Sequence, residues 1–181
     1  MFARFVATAL VVLATATSAG ATAQKENLQL FREVQQQVLQ YPHFTIFDSV
    51  SAQVDQGTVT LIGKVTMPYK KNDIERRVSK LPSVERLVNK IEVLPVSQFD
   101  DDLRFRIARA IYSNPNFRPF ATMVNPPIHV IVEHGRVTLE GVVNSQVDRM
   151  LARSIAANFL AFGVKNDLKT EAEVRAELEK L

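Results

Sequence analysis

The sequence predicts an α+β protein made of two tandem αββαβ units, each a three-stranded mixed sheet packed with two helices, plus a C-terminal helix. Three observations carry this reading. The stretch GTVTLIGKV at residues 57–65 returns 78 residues later as GRVTLEGVV at residues 135–143, which marks an internal repeat. Apolar residues four apart precede each copy: Leu30, Val34 and Val38 answer Leu103, Ile107 and Ile111 at an offset of 73. A second helical pattern and a last apolar strand follow each copy, with Ile74 and Val78 answered by Leu151 and Ile155.

The elements follow in chain order. The first helix is expected to start near Glu26 and to stop before Pro42, and its counterpart to start near Asp100, Asp101 and Asp102 and to stop before Pro115. The acidic run suits the positive end of the helix macrodipole. Val50, Ala52 and Val54 alternate into Asp55-Gln56-Gly57, and Ile128, Val130 and Val132 into Glu133-His134-Gly135, so each unit continues with a tight β-hairpin. Four of the five glycines after residue 23 are Gly57, Gly63, Gly135 and Gly141. So sparing a use of glycine places it where the backbone requires it, at a hairpin turn and at a close approach. After the second helix, Leu87, Asn89 and Ile91 match Val164, Asn166 and Leu168, and Pro95 ends the first of these strands. A helix between two strands lets the last strand run parallel to a neighbour, and hence predicts mixed sheets. Their exposed faces have two available covers, the other repeat's sheet and the helix at residues 171–181. The units span residues 24–96 and 97–169, with residues 170–181 as the added helix.

The offset between copies changes from 73 to 78, so five residues are inserted within 118–127 of the second copy. Three prolines there predict an extended, stiff surface segment carrying Phe120 and Met123. Phe44 and Phe117 recur at matching positions and are expected in the cores, and Phe159 and Phe162 are expected to seal the second core or its seam with the last helix.

Residues 1–23 carry one arginine, an apolar run of about 12 residues and Ala21-Thr22-Ala23, the anatomy of a secretory signal peptide cleaved after Ala23. The run is shorter than the roughly 20 residues that cross a bilayer. Periplasmic or secreted localisation is the expectation. The chain has no cysteine, which excludes disulfides, thiol catalysis and a lipidated cysteine. Without Arg4 the 22 basic residues fall to 21 against 19 acidic, so the charge is nearly balanced. Basic residues still cluster, at Lys70, Lys71, Arg76, Arg77 and Lys80 and at Arg104, Arg106, Arg109 and Arg118. These are solvated helix faces or a surface for anionic lipid. Nucleic acid is the weakest partner, for lack of any binding motif.

No chemistry-bearing motif emerges. His43, His129 and His134 do not form a ligand set, and Asp100–Asp102 lacks the spaced oxygens and glycine of a calcium loop. No Gly-x-Ser-x-Gly, phosphate-cradling loop or His-Glu-x-x-His occurs. Neither catalytic residues nor a metal or other cofactor is expected.

The segments AQVDQGTVTLIGKV with LVNKI, and VIVEHGRVTLEGVV with VKNDL, resemble the BON domain, and two copies resemble a dual-BON periplasmic protein. The family usually has Gly-Val before the Asn-bearing strand, where copy one has Ser83-Val84. The resemblance implies a non-enzymatic exported module associated with phospholipid at the bacterial envelope and with resistance to osmotic or other envelope stress. It also implies that a helix and adjacent loop of the second domain can bind lipid. Here that surface comprises Arg104, Arg106, Arg109, Arg118, Phe120 and Met123. The alternative is a protein-interaction or oligomerisation module, in which an edge strand or the last helix docks an envelope protein or a second copy.

Overall fold

A computed structural model describes residues 16–178, with side chains for residues 24–177. Residues 1–15, which hold most of the apolar run of the expected signal peptide, and residues 179–181 of the expected last helix lie outside the described residues. The first repeat comprises α1 (Ala16–Leu39), β1 (Ser49–Asp55), β2 (Thr58–Val65), α2 (Pro68–Val78) and β3 (Arg86–Val93). The second comprises α3 (Gln98–Ser113), a 3-10 turn (Arg118–Thr122), β4 (Ile128–Glu133), β5 (Arg136–Val143), α4 (Gln146–Ala157) and β6 (Gly163–Thr170), and α5 (Glu171–Leu178) follows.

Two of the expected boundaries shift. Helix α1 begins ten residues before Glu26, because the preceding segment is rich in alanine, the best helix former, and contains no proline. The inserted segment is not uniformly extended: residues 118–122 form one 3-10 turn, in which Pro119 occupies a first-turn position where its missing N–H is not needed.

Both sheets are mixed and have the same order, with β2 and β5 at their centres. β1 pairs antiparallel with β2 and β3 parallel to it, and the ladder Ala52–Leu61–Asn89 has the counterpart Val130–Leu139–Asn166. Each hairpin turns in two residues of positive φ, Gln56 (42°) and Gly57 (75°) or His134 (50°) and Gly135 (72°), as a type I′ turn requires. The later glycine of each copy marks a close approach. A Cβ on Gly63 would lie 2.0 Å from the Ser49 carbonyl oxygen, and one on Gly141 1.9 Å from that of Pro127.

Alternate strand residues and one stripe of each helix form two cores. The first contains Leu30, Val34, Val59, Leu61, Ile74 and Ile91, and the second Leu103, Ile107, Phe117, Val130, Leu139 and Leu168. Repeated polar devices pin the elements. Asn89 donates to the Lys71 carbonyl and Asn166 to that of Arg149, tying each last strand to the helix before it. Asn27 accepts from the Gln56 amide at the first hairpin turn, and Asp100 from the His134 and Gly135 amides at the second. Asp100 therefore does more than complement the α3 macrodipole, since it is buried and bonded to a turn 34 residues away.

One buried ion pair belongs to the first repeat alone. Asp48 accepts from Lys70 Nζ at 2.6 Å and from the amides and hydroxyls of Thr45 and Thr66 at 2.7–2.9 Å. Burial favours the neutral acid, yet the bonds from Lys70, Thr66 and Thr45 outweigh it and hold the carboxyl below its ordinary value.

The repeats meet along the outer face and edge of the second sheet. Ile46 accepts from the Val130 amide at 2.8 Å, Lys64 pairs with Glu133, Ser49 donates to Glu140, and Phe44 contacts His129 with ring centroids 5.6 Å apart. Burial pushes the His129 imidazole below its usual value. Helix α5 docks on the start of α4, through Glu173 with Gln146 and Arg149, rather than across a sheet face. It opens with a capping box, in which Thr170 Oγ1 accepts from the Glu173 amide and Glu173 accepts from the Thr170 amide.

Candidate functional site

The six residues nominated from sequence do not form one surface. Arg104 is 4% exposed, because its position on α3 turns it toward β4. Its guanidinium donates to the Val132 carbonyl at 3.1 Å and pairs with Asp101 at 3.0 Å. It is thus a structural side chain, withdrawn from any membrane. Tyr112, two turns further along α3, donates to the Ile128 carbonyl at 2.6 Å and accepts from the Ile128 amide. Burial pushes its phenol upward and keeps it protonated for that role.

Arg106 and Arg109 lie one turn apart on the exposed side of α3, where Arg106 stands 5.5 Å from the Phe159 ring and pairs with Asp102. Arg118, Phe120 and Met123 lie at the far end of the helix. Phe120 is half-buried and stacked on Phe117 at 6.3 Å, whereas Arg118 and Met123 are exposed. Asn125, in the same inserted segment, donates to the Leu39 carbonyl at the end of α1. The insertion therefore braces the second core and the seam between repeats.

A sharper difference between the copies lies at the opposite end, around the hairpin turns. The backbone there is the same in both: the Glu85 amide donates to the Gly57 carbonyl at 2.9 Å, and the Phe162 amide to the Gly135 carbonyl at 2.8 Å. The side chains are opposite in character. In the first repeat Glu26, Gln29, Gln56, Ser83 and Glu85 line a polar cleft. In the second, Phe99 stands where Glu26 does, Leu160 where Ser83 does and Phe162 where Glu85 does. Phe99 and Phe162 flank Gly135, whose added Cβ would lie 3.4 Å and 2.7 Å from their rings. These side chains are 54% (Phe99), 90% (Leu160) and 78% (Phe162) exposed. Phe162 thus seals neither core nor seam, whereas Phe159, facing inward, packs on the core. Arg136, which replaces Thr58, is exposed beside this tip, within 3.9 Å of the Gly163 Cβ position.

Sequence reasoning assigned Phe162 to packing and gave no role to Phe99 or Leu160. The signal that could have found them was the aligned contrast of Glu26, Ser83 and Glu85 with Phe99, Leu160 and Phe162. Among the described residues no group of His, Asp and Glu could hold a metal, and no helix is long and apolar enough to cross a membrane.

Among curated proteins, no sequence matches this chain. Similar solved structures include the C-terminal domain of CdsD, the structural protein of the type III secretion system of Chlamydia trachomatis. It is 14% identical, covers 77% of this chain and 96% of its own, and has a TM-score of 0.28. A second CdsD structure is 15% identical over 83% of this chain and 97% of its own, with a TM-score of 0.29. Neither likeness is close enough to carry an argument. The BON domain family, in contrast, matches twice, over residues 29–95 and 99–172, the two units whose hairpins and Asn-bearing strands superpose in register. The chain belongs to the BON domain family, as a tandem of two such domains.

Proposed function

We propose that this is a non-enzymatic binding protein of the bacterial envelope, exported by its N-terminal segment, that associates with anionic phospholipid through the hairpin end of its second BON domain. The carrying observation is the exposed triad Phe99, Leu160 and Phe162, on a scaffold whose other copy holds Glu26, Ser83 and Glu85 there. Three large apolar side chains on protruding turns can enter the boundary between headgroups and acyl chains, each losing exposed apolar area to water. Arg136 and the exposed arginines Arg106 and Arg109 add about 1 kcal/mol each when they come near an anionic surface. The first domain then serves as a support joined through the seam, and support of envelope integrity under osmotic stress is the role that fits.

Vesicle flotation tests this reading. The protein is expected to float with phosphatidylglycerol-containing vesicles and to be released by salt, and pure phosphatidylcholine should retain little. L160S/F162S should abolish flotation while leaving the fold intact, and R118A/M123S should leave it unchanged. Negligible flotation in both vesicle types, or full flotation of L160S/F162S, sinks the proposal.

A further inference from the structure

The two sheets have four edges, which differ in how many of their outward groups are engaged: several on β4, one amide each on β3 and β6, and none on β1. On β4 the outward-facing positions are Ile128, Val130 and Val132, occupied by Tyr112, by the Ile46 carbonyl and by Arg104 respectively. On β3 and β6 the Asn89 and Asn166 side chains fold back to accept the outward amides of Ile91 and Leu168. The remaining edge is β1. Its ladder to β2 uses the positions flanking the turn, Asp55 and then every second residue back to Ser49, so Val50, Ala52 and Val54 direct their amides and carbonyls outward. Among the described residues none of these groups has a hydrogen-bond partner. Sequence explains the difference, because Phe31 and Leu39 of α1 stand where Arg104 and Tyr112 of α3 do, and neither can make such a bond.

An unpaired edge is a template for another strand, and the order of residues in β1 selects which. We propose that β1 is a self-association edge, through which two copies of this chain join their first sheets into one continuous six-stranded sheet. A two-fold axis through Ala52 sets Ala52 against Ala52 of the second copy, Val50 against Val54, Ser51 against Gln53 and Ser49 against Asp55. β-Branched side chains then meet on the core side and small polar ones on the exposed side, and no like charges oppose each other. The outward groups of Val50, Ala52 and Val54 supply about six backbone hydrogen bonds. One seven-residue strand buries less than the ~1,200 Å² of a standard stable interface, so the dimer is weak and concentration-dependent. The proposal is independent of the lipid reading and is tested without lipid.

Sedimentation of the full chain across the micromolar range should show the weight-average mass rising from that of a monomer toward twice that value. Ala52→Pro removes an outward N–H without breaking the β1–β2 ladder, a placement that edge strands tolerate, and should hold the chain at monomer mass. Because the chain has no cysteine, Ser51→Cys mixed with Gln53→Cys should give oxidised dimers containing one of each, with far less from either variant alone. That readout stands even if Ala52→Pro fails to fold. Monomer mass throughout the range, undiminished dimerisation of folded A52P, or cross-linking no greater in the mixture than in the separate variants overturns the proposal.

Discussion

Replacing Lys70 by methionine keeps the aliphatic stem in its buried slot and removes only the ammonium that faces Asp48. Asp48 is 0% exposed and would then hold a negative charge with the Thr45 and Thr66 donors but no counter-ion. Breaking a buried pair from one side costs about 3–5 kcal/mol, a large part of the ~5–15 kcal/mol of a whole domain. In urea unfolding followed by circular dichroism, K70M should therefore lose the first repeat at much lower denaturant. Acid should shrink the difference. In the parent, the folded Asp48 carboxyl lies below its unfolded value, so its contribution is complete above about pH 4 and fades as pH falls through the folded value. Loss of Lys70 raises that carboxyl, so K70M recovers relative to the parent once the acid is protonated. Adding D48N to K70M should likewise recover part of the loss at neutral pH. A K70M cost below about 1 kcal/mol, or a cost unchanged from neutral pH to the acid range, would refute the reasoning.

Other consequences are open to direct measurement. Arg104→Met should cost about 1–3 kcal/mol in thermal or urea unfolding, because the buried Val132 carbonyl loses its partner; it should promote aggregation through the opened β4 edge and leave vesicle flotation of the folded fraction unchanged. Gly141→Ala should cost more than about 3 kcal/mol, since its Cβ would sit 1.9 Å from a backbone oxygen at φ +117°. Gly57→Asn should cost only about 1 kcal/mol, because asparagine tolerates left-handed backbone and the nearest atoms belong to the flexible Glu85 side chain. Thr170→Val should remove about 1 kcal/mol of helix capping and make α5 the first site cut in limited proteolysis.

What could be read from the sequence was whatever the two copies share. Gly57 with Gly135 and Gly63 with Gly141 predicted the turns and close approaches, and Asn89 with Asn166 marked equivalent strands, because local rules and repetition point to the same residues. Pairings across long separations left no such mark. Arg104 looks like any exposed helix arginine until α3 packs beside β4, and its partner carbonyl is 28 residues away. Lys70 likewise lies in a basic run of α2, yet is withdrawn to Asp48 by a contact spanning 22 residues. The inserted segment drew attention by its length, whereas Phe162 was assigned to packing and Phe99 and Leu160 were not singled out, the three being separate substitutions that only the folded hairpin end brings together.

At the hairpin end of each domain, position 85 or 162 meets its structural obligation with the main-chain amide alone, donated to the carbonyl of the turn glycine. That bond is the same whatever side chain the position carries. Duplication therefore left a site where mutation could change surface chemistry from carboxylate to phenyl with little folding penalty, while the turn stayed fixed. A tandem of one fold can thus present two hairpin ends of opposite side-chain character on the same backbone.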